Sequence, residues 1–337
     1  MKKAYVLLWL SLFAAALLIG NLFVGSTAVA PSDVIAALHG TADSTATFIV
    51  GETRMPQAVT ALLAGGALAV AGLLMQTLFA NPLADPSILG LNAGASLGVA
   101  VATLWLGGSV AAVGTTFSGS SLTLLTAFVG AGSIMALLVL CATWVHNRML
   151  LLILGLMVSY AVSSLVSLLS FTADAAGLHA YVIWGLGSFG TATWQRLPLF
   201  ATTVAVGVGL AALTVKALNA LTLGEAYAAN MGIRVRRTRI LLMASAGLLS
   251  ATVTAQCGPI AFIGLAVPHM ARMLTRTADH RILLPATFLC GASVALACHM
   301  ACRLPGDAGL LPLNTVTPLV GVPVVLYVIL RQRGISS

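Results

Sequence analysis

Cys298, His299 and Cys302 put two thiols and an imidazole, ligand types of a soft-metal site, into one short run. They also lie on a small-residue stretch near the end of an apolar segment. Helix packing is the reading adopted for them, and no metal is expected. Cys141, Cys257 and Cys290 lie in or beside apolar runs too, and five cysteines without framework spacing give no disulfide pattern. Ser159, Ser163 and Ser167 recur at i, i+4 and i+8, flanked by Tyr160 and Ser164, so they share one helical face. Such a stripe lines an aqueous path or packs helices closely, and the residues alone leave both open. No phosphate-binding loop of the Gly-x4-Gly-Lys type occurs, since the only lysines are Lys2, Lys3 and Lys216.

The charged residues decide more. The acids are Asp33, Asp43, Glu52, Asp85, Asp174, Glu225, Asp279 and Asp307. All of them, and every Lys and Arg, fall between or at the ends of long apolar runs. A charge at the bilayer centre costs at least ~2.5–3.5 kcal/mol and is kept where function needs it. A proton- or sodium-coupled carrier usually needs some. The chain therefore shows neither ion coupling nor its own nucleotide site. It performs no covalent chemistry, and an energy-supplying partner is expected.

The elements that hold these residues are membrane spans. Only 7% of the 337 residues are charged, 59% are hydrophobic, and the mean hydropathy is +1.05. Soluble domains carry roughly 25% charged residues, so lipid must cover most of this surface. The apolar runs are continuous rather than alternating, which excludes a β-barrel. At about 20 residues per span, the length holds about ten helices in a single all-α transmembrane domain, 1–337. Alternating sides from a cytoplasmic N-terminus gives one side thirteen basic residues and the other only Arg54, Arg196 and Arg303, which accounts for all 16 Lys and Arg. The richer side is cytoplasmic by the positive-inside rule. A nucleic-acid partner is excluded, because the charges sit at span ends. Lys2-Lys3 and the following apolar run resemble a signal peptide, but the run is long enough to span, and it reads as a retained first helix.

The expected spans are 4–24, 56–79, 87–107, 122–144, 149–171, 198–217, 240–256, a short one ending near His269, 282–302 and 311–330. Both termini then lie inside. Ser32-Asp33 is expected to cap a short outer helix. Gly90, Gly94 and Gly98 leave one face of the third span bare for close packing. The stretch 172–197 is too short and Gly-rich to span, and reads as a half-helix near the outer mouth. The longest cytoplasmic insert contains a short helix from Glu225, preceded by Gly224 and ended by Gly232. Its outer face offers Tyr227, Asn230 and Met231. It reads as a docking helix for a motor subunit or as a plain connecting loop.

Arg54-Met55-Pro56, then Gly65-Gly66 through Met75-Gln76, then Asn81-Pro82-Leu83-Ala84-Asp85-Pro86 resemble the signature of the FecCD family. The likeness continues through Leu223-Gly224-Glu225 to Met231-Gly232, Gly258-Pro259 to Gly264, Pro268-His269 and Asp279-His280-Arg281. Members of that family are permeases of ABC importers for iron-siderophores, haem and vitamin B12. The resemblance implies a type II importer fold of ten helices and a homodimer in the bacterial inner membrane. It also implies two cytoplasmic ATPase subunits, which bind the ATP and Mg, and an external substrate-binding protein. By the same resemblance, 221–233 holds the ATPase coupling segment (Gly224, Glu225, Tyr227, Asn230, Met231, Gly232), and Asn81, Leu83, His146 and Asn147 stand at the cytoplasmic gate. Arg54 and Arg303 would dock acidic knobs of the binding protein. Gln57 stands where the vitamin B12 permease has a further arginine, which weakens the case for B12 as cargo. The alternative function is an ion-coupled secondary transporter or channel built on polar sites such as Ser159, Ser163 and Ser167.

Overall fold

The computed structural model describes residues 2–106, 109–112, 115–145, 147–304 and 310–333. It is helical almost throughout, because an apolar segment in hydrocarbon has to satisfy its peptide groups within itself. The helices are α1 (Lys2–Phe23), α2 (Pro31–Leu38), α3 (Ser44–Thr47), α4 (Met55–Phe79), α5 (Leu91–Ala100), α6 (Gly119–Trp144), α7 (Arg148–Thr172) and α8 (Ala175–Gly185). They continue with α9 (Leu197–Leu213), α10 (Val215–Leu221), α11 (Glu225–Asn230), α12 (Val235–Cys257), α13 (Ile263–Thr275), α14 (His280–Ala301) and α15 (Leu313–Arg333). A small antiparallel hairpin, β1 (Ser109–Ala112) and β2 (Thr115–Ser118), precedes α6, with Ser109 opposite Ser118.

Six helical stretches are long and apolar enough to cross a bilayer, and α9 with α10, bent by 54°, makes a seventh. α5 and α15 occupy two of the other expected positions, and α13 takes the third but runs from Ile263 to Thr275, past the expected end at His269 and through Arg272, so the arrangement is compatible with ten crossings. A π-helical turn, Phe48–Arg54, joins α3 to α4 and makes one rod of 36 residues, Ser44–Phe79. At 1.5 Å per residue that is about 54 Å, against about 30 Å of hydrocarbon. The helix thus starts well before the expected Arg54 boundary, and its first turns, with exposed Glu52, extend beyond the hydrocarbon. The expected Ser32-Asp33 cap is not made. Ala30 holds the N-cap position without a side-chain bond, Pro31 opens α2, and Asp33 sits in its first turn, where the helix dipole favours a carboxylate. α8 is the short element expected in 172–197. Asp174 caps it by accepting from Gly177 N at 3.0 Å.

The chain forms two compact units. In the first (1–70, 188–202 and 260–337), α1 runs along α14, and α13 packs on α14 and α15. Gly65 of α4 faces the Gly291 carbonyl of α14, and Gly291 faces the Gly65 carbonyl, so the two backbones touch. In the second unit (71–187 and 203–259), α6 packs on α5 and α12, and α7 crosses α5. Here the expected glycine face is used from Gly94 onward. A Cβ on Gly94 would enter the Gly130 carbonyl of α6, and one on Gly98 would enter the Thr126 carbonyl. Gly90 instead precedes α5, at φ +84, and lets the chain turn out of the 3₁₀ segment Pro86–Leu89.

Two glycines on α6 separate close packing from mere small size. A Cβ on Gly130 meets the Gly94 backbone, whereas one on Gly132 meets nothing within 4 Å. Gly130→Leu should therefore lower stability by about 1–3 kcal/mol or more, as overpacking does. Gly132→Leu should change little. Thermal melting of the two purified variants in detergent checks this.

Candidate functional site

The insert after α10 folds as the residues imply. Gly224 (φ +110) and Gly232 (φ +80) bracket α11 in backbone conformations that side chains disfavour. Within it Ala228 is fully buried, while Tyr227, Asn230 and Met231 are exposed. Glu225 lies in the first turn, where the dipole favours it. Its Oε1 accepts from Arg239 Nη2 of α12 at 3.0 Å. The buried Arg239 also donates through Nη1 to the Val145 carbonyl, just past the end of α6, at 3.2 Å.

Beside α11 lies a cleft of about 560 Å³, lined by Phe79, Asn81 and Pro82 after α4, Asn147, Met149 and Leu152 of α7, and Glu225. Asn81 Oδ1 accepts from Leu83 N at 2.9 Å, which closes a tight turn. Asn147 caps α7 by accepting from Met149 N at 2.8 Å. Three expected residues from two groups, Asn81, Asn147 and Glu225, thus share one cleft. Leu83 is exposed on the Asn81 turn and does not line it. His146 lies outside the described residues. Asp85 accepts from Ser87 N at 2.9 Å and starts the next turn. Burial pushes its carboxyl up, partly offset by the Ser87 hydrogen bonds.

Arg54 and Arg303 are expected as outward-facing charges, and the structure places them differently. They are 3% and 6% exposed and turn onto the end of α1. Arg54 donates to the Leu22 and Thr27 carbonyls, both at 2.6 Å. Arg303 donates to the Val24 carbonyl at 2.9 Å and to Gln57 Oε1. The last carbonyls of a helix have no partner within it, and two guanidiniums with up to five donors each can supply one. The cost is electrostatic. Burial first, and then the neighbouring Arg54 charge, pull the Arg303 guanidinium down to about 10, still charged at neutral pH.

Residues 12–331 match the FecCD transport family. The chain belongs to that family. FepD of Escherichia coli K12, a ferric enterobactin transport permease, is 35% identical over 336 residues, covering 97% of this chain and 95% of FepD. The hemin transport permease HmuU of Yersinia pestis is 34% identical and covers 83% of this chain and 82% of its own. The vitamin B12 import permease BtuC of Klebsiella pneumoniae is 35% identical, covering 85% and 83%. A solved structure described as an inward-facing ABC transporter of the metal-chelate type superposes with a TM-score of 0.84 at 28% identity, over 98% of this chain and 99% of that one.

This FecCD chain is thus a multi-pass permease of an ABC importer. Its serine stripe is real: Ser163 and Ser167 are exposed on α7 and Ser159 half-buried. Ser159 and Ser167 donate back to the Gly155 and Ser163 carbonyls at 2.8 and 3.0 Å, so the face is wettable without requiring water. His299 meets the Phe189 ring edge-on at 5.2 Å, and all five cysteines are free thiols. Sequence reasoning missed Arg239, Val145 and the α1 carbonyls. Arg239 reads only as one of several cytoplasmic charges, and its partners are 14 and 94 positions away.

Gln57 now has a physical role. It accepts from Arg303, so an arginine there would set a third cation against two buried ones. Gln57→Arg should lower the melting temperature of the purified permease by several degrees, a loss of about 1–3 kcal/mol for an unmade buried bond. An isosteric Gln57→Glu, which supplies a counter-charge, should not. Paired melts at low and high salt measure both.

Proposed function

We propose that this permease carries a metal chelate inward, with a ferric siderophore the first cargo to test and haem or cobalamin next. Two copies would line the path between them, driven by two cytoplasmic ATPase subunits and supplied by an external binding protein. The observation that carries this reading is α11. It is a glycine-bracketed helix that presents Tyr227, Asn230 and Met231 to solvent and places Glu225 on the cleft formed by Asn81 and Asn147. A segment that receives an ATPase stroke needs an exposed contact face and a direct route to the gate. α11 has both.

The family supports the partners, and the charge pattern supports the orientation. Both termini on the basic-rich side put α11 in the cytoplasm. The exposed apolar length of α7, with Leu165, Leu168 and Phe171 bare of cover, suits a helix that faces lipid or a second copy, and its serine stripe suits the translocation path. Cargo selection by a pore cage has no support, since no cluster of metal-ligating side chains occurs among the described residues. Docking through Arg54 and Arg303 would require each guanidinium to leave the α1 carbonyls.

Co-expression with a candidate ATPase and binding protein from the same organism, followed by reconstitution in liposomes, tests the proposal. The ATPase should co-purify at one copy per permease. Ferric enterobactin, hemin and cyanocobalamin, offered singly, should show ATP-dependent accumulation of one class. Tyr227→Asp puts a charge on the docking face and should cut uptake at least tenfold. Uptake that persists without nucleotide and collapses with ionophores would establish the ion-coupled alternative instead.

A further inference from the structure

Arg239 does more than satisfy the chain just past the end of α6, because the same guanidinium also holds α11. It is 6% exposed, inside the second turn of α12, and its guanidinium reaches two elements that are distant in sequence. One nitrogen holds Glu225, the first residue of α11, and the other holds the carbonyl of Val145, between α6 and the Asn147 cap of α7. The Arg239 Nε has no partner among the described residues. The side chain is therefore aimed by its two terminal bonds alone.

We infer that Arg239 is a positioning residue that makes the α6–α7 turn follow α11, so that movement of the coupling segment reaches the gate cleft. The inference rests on the importer reading above and adds the route of the stroke. Asn147 and Glu225 line the same cleft, and Arg239 binds Glu225 directly and the Val145 carbonyl two positions before Asn147. The guanidinium is planar, and its two acceptors are fixed relative to one another. Lysine, a flexible point charge, cannot hold both in one geometry. A plain surface ion pair would add only about 0–1 kcal/mol and would not need the carbonyl contact.

The test uses the assembled transporter in liposomes, with ferric enterobactin, hemin and cyanocobalamin as probes, and measures uptake per ATP hydrolysed. Arg239→Gln should leave ATPase co-purification and hydrolysis within about twofold of the parent, while uptake per ATP falls about tenfold. Arg239→Lys should fall between. A ratio unchanged in Arg239→Gln overturns the inference and leaves the importer reading intact. A parent that accumulates none of the probes under ATP overturns both. If Arg239→Gln does not assemble, Glu225→Gln keeps the side-chain shape and removes the charge. A lowered ratio there supports the link, and an unchanged one overturns it.

Discussion

A peptide group in hydrocarbon must find its partner within the protein, and in this chain the helix ends carry that demand. Several of its charged and amide side chains serve those ends, while hydroxyls such as Thr60, Ser245 and Thr287 lie buried within the helices. Asn147 starts α7, Asp174 starts α8 and Asp279 starts α14, each accepting from backbone N–H. At the other polarity, Arg54 and Arg303 donate to the closing carbonyls of α1 and the residues after it. Acids at helix starts and cations at helix ends also match the dipole. The rule accounts for these caps, while the basic residues that open α1, α7 and α12 follow the positive-inside pattern instead.

That rule explains what the sequence discloses. Continuous apolar runs show where helices cross, and Gly224 and Gly232 show where α11 begins and ends, because periodicity and turn chemistry are local. The family resemblance singles out Asn81 and Asn147 as gate residues and Glu225 as a coupling residue, and the structure puts the three on one cleft. The direction of a guanidinium is not local. Arg54 and Arg303 stand at span ends whether they face water or a neighbouring helix, and only the position of the α1 terminus decides. The π-helical turns at Phe48–Arg54 and Val101–Trp105 were equally invisible, since one extra residue per turn leaves no mark on an apolar run.

Close backbone contact is the second constraint. Without a hydrophobic drive between helices in lipid, packing supplies much of the attraction. Gly65 with Gly291, and Gly94 with Gly130, each bring two carbonyl-bearing backbones together. Such crossings are stiff because no side chain lies between them to change rotamer. Movement must then come from segments outside them. The candidates lie where the chain breaks: the bend between α9 and α10, the turn at Asn81, and Gly258 (φ +75) at the end of α12.

On the importer reading proposed above, force enters at one end of the helices. The contact that receives it need not be strong, only directional. Glu225 is about one-third exposed, so solvent screens its pair with Arg239 and little stability follows from it. What the pair supplies is geometry. α11 is a helix of about one and a half turns in which Ala228 is the buried residue. A planar guanidinium links the helix to the Val145 carbonyl, two positions before Asn147, and through that link its movement is passed to the cleft. The same side-chain chemistry that closes the end of α1 in the first unit serves here, in the second, as a mechanical joint.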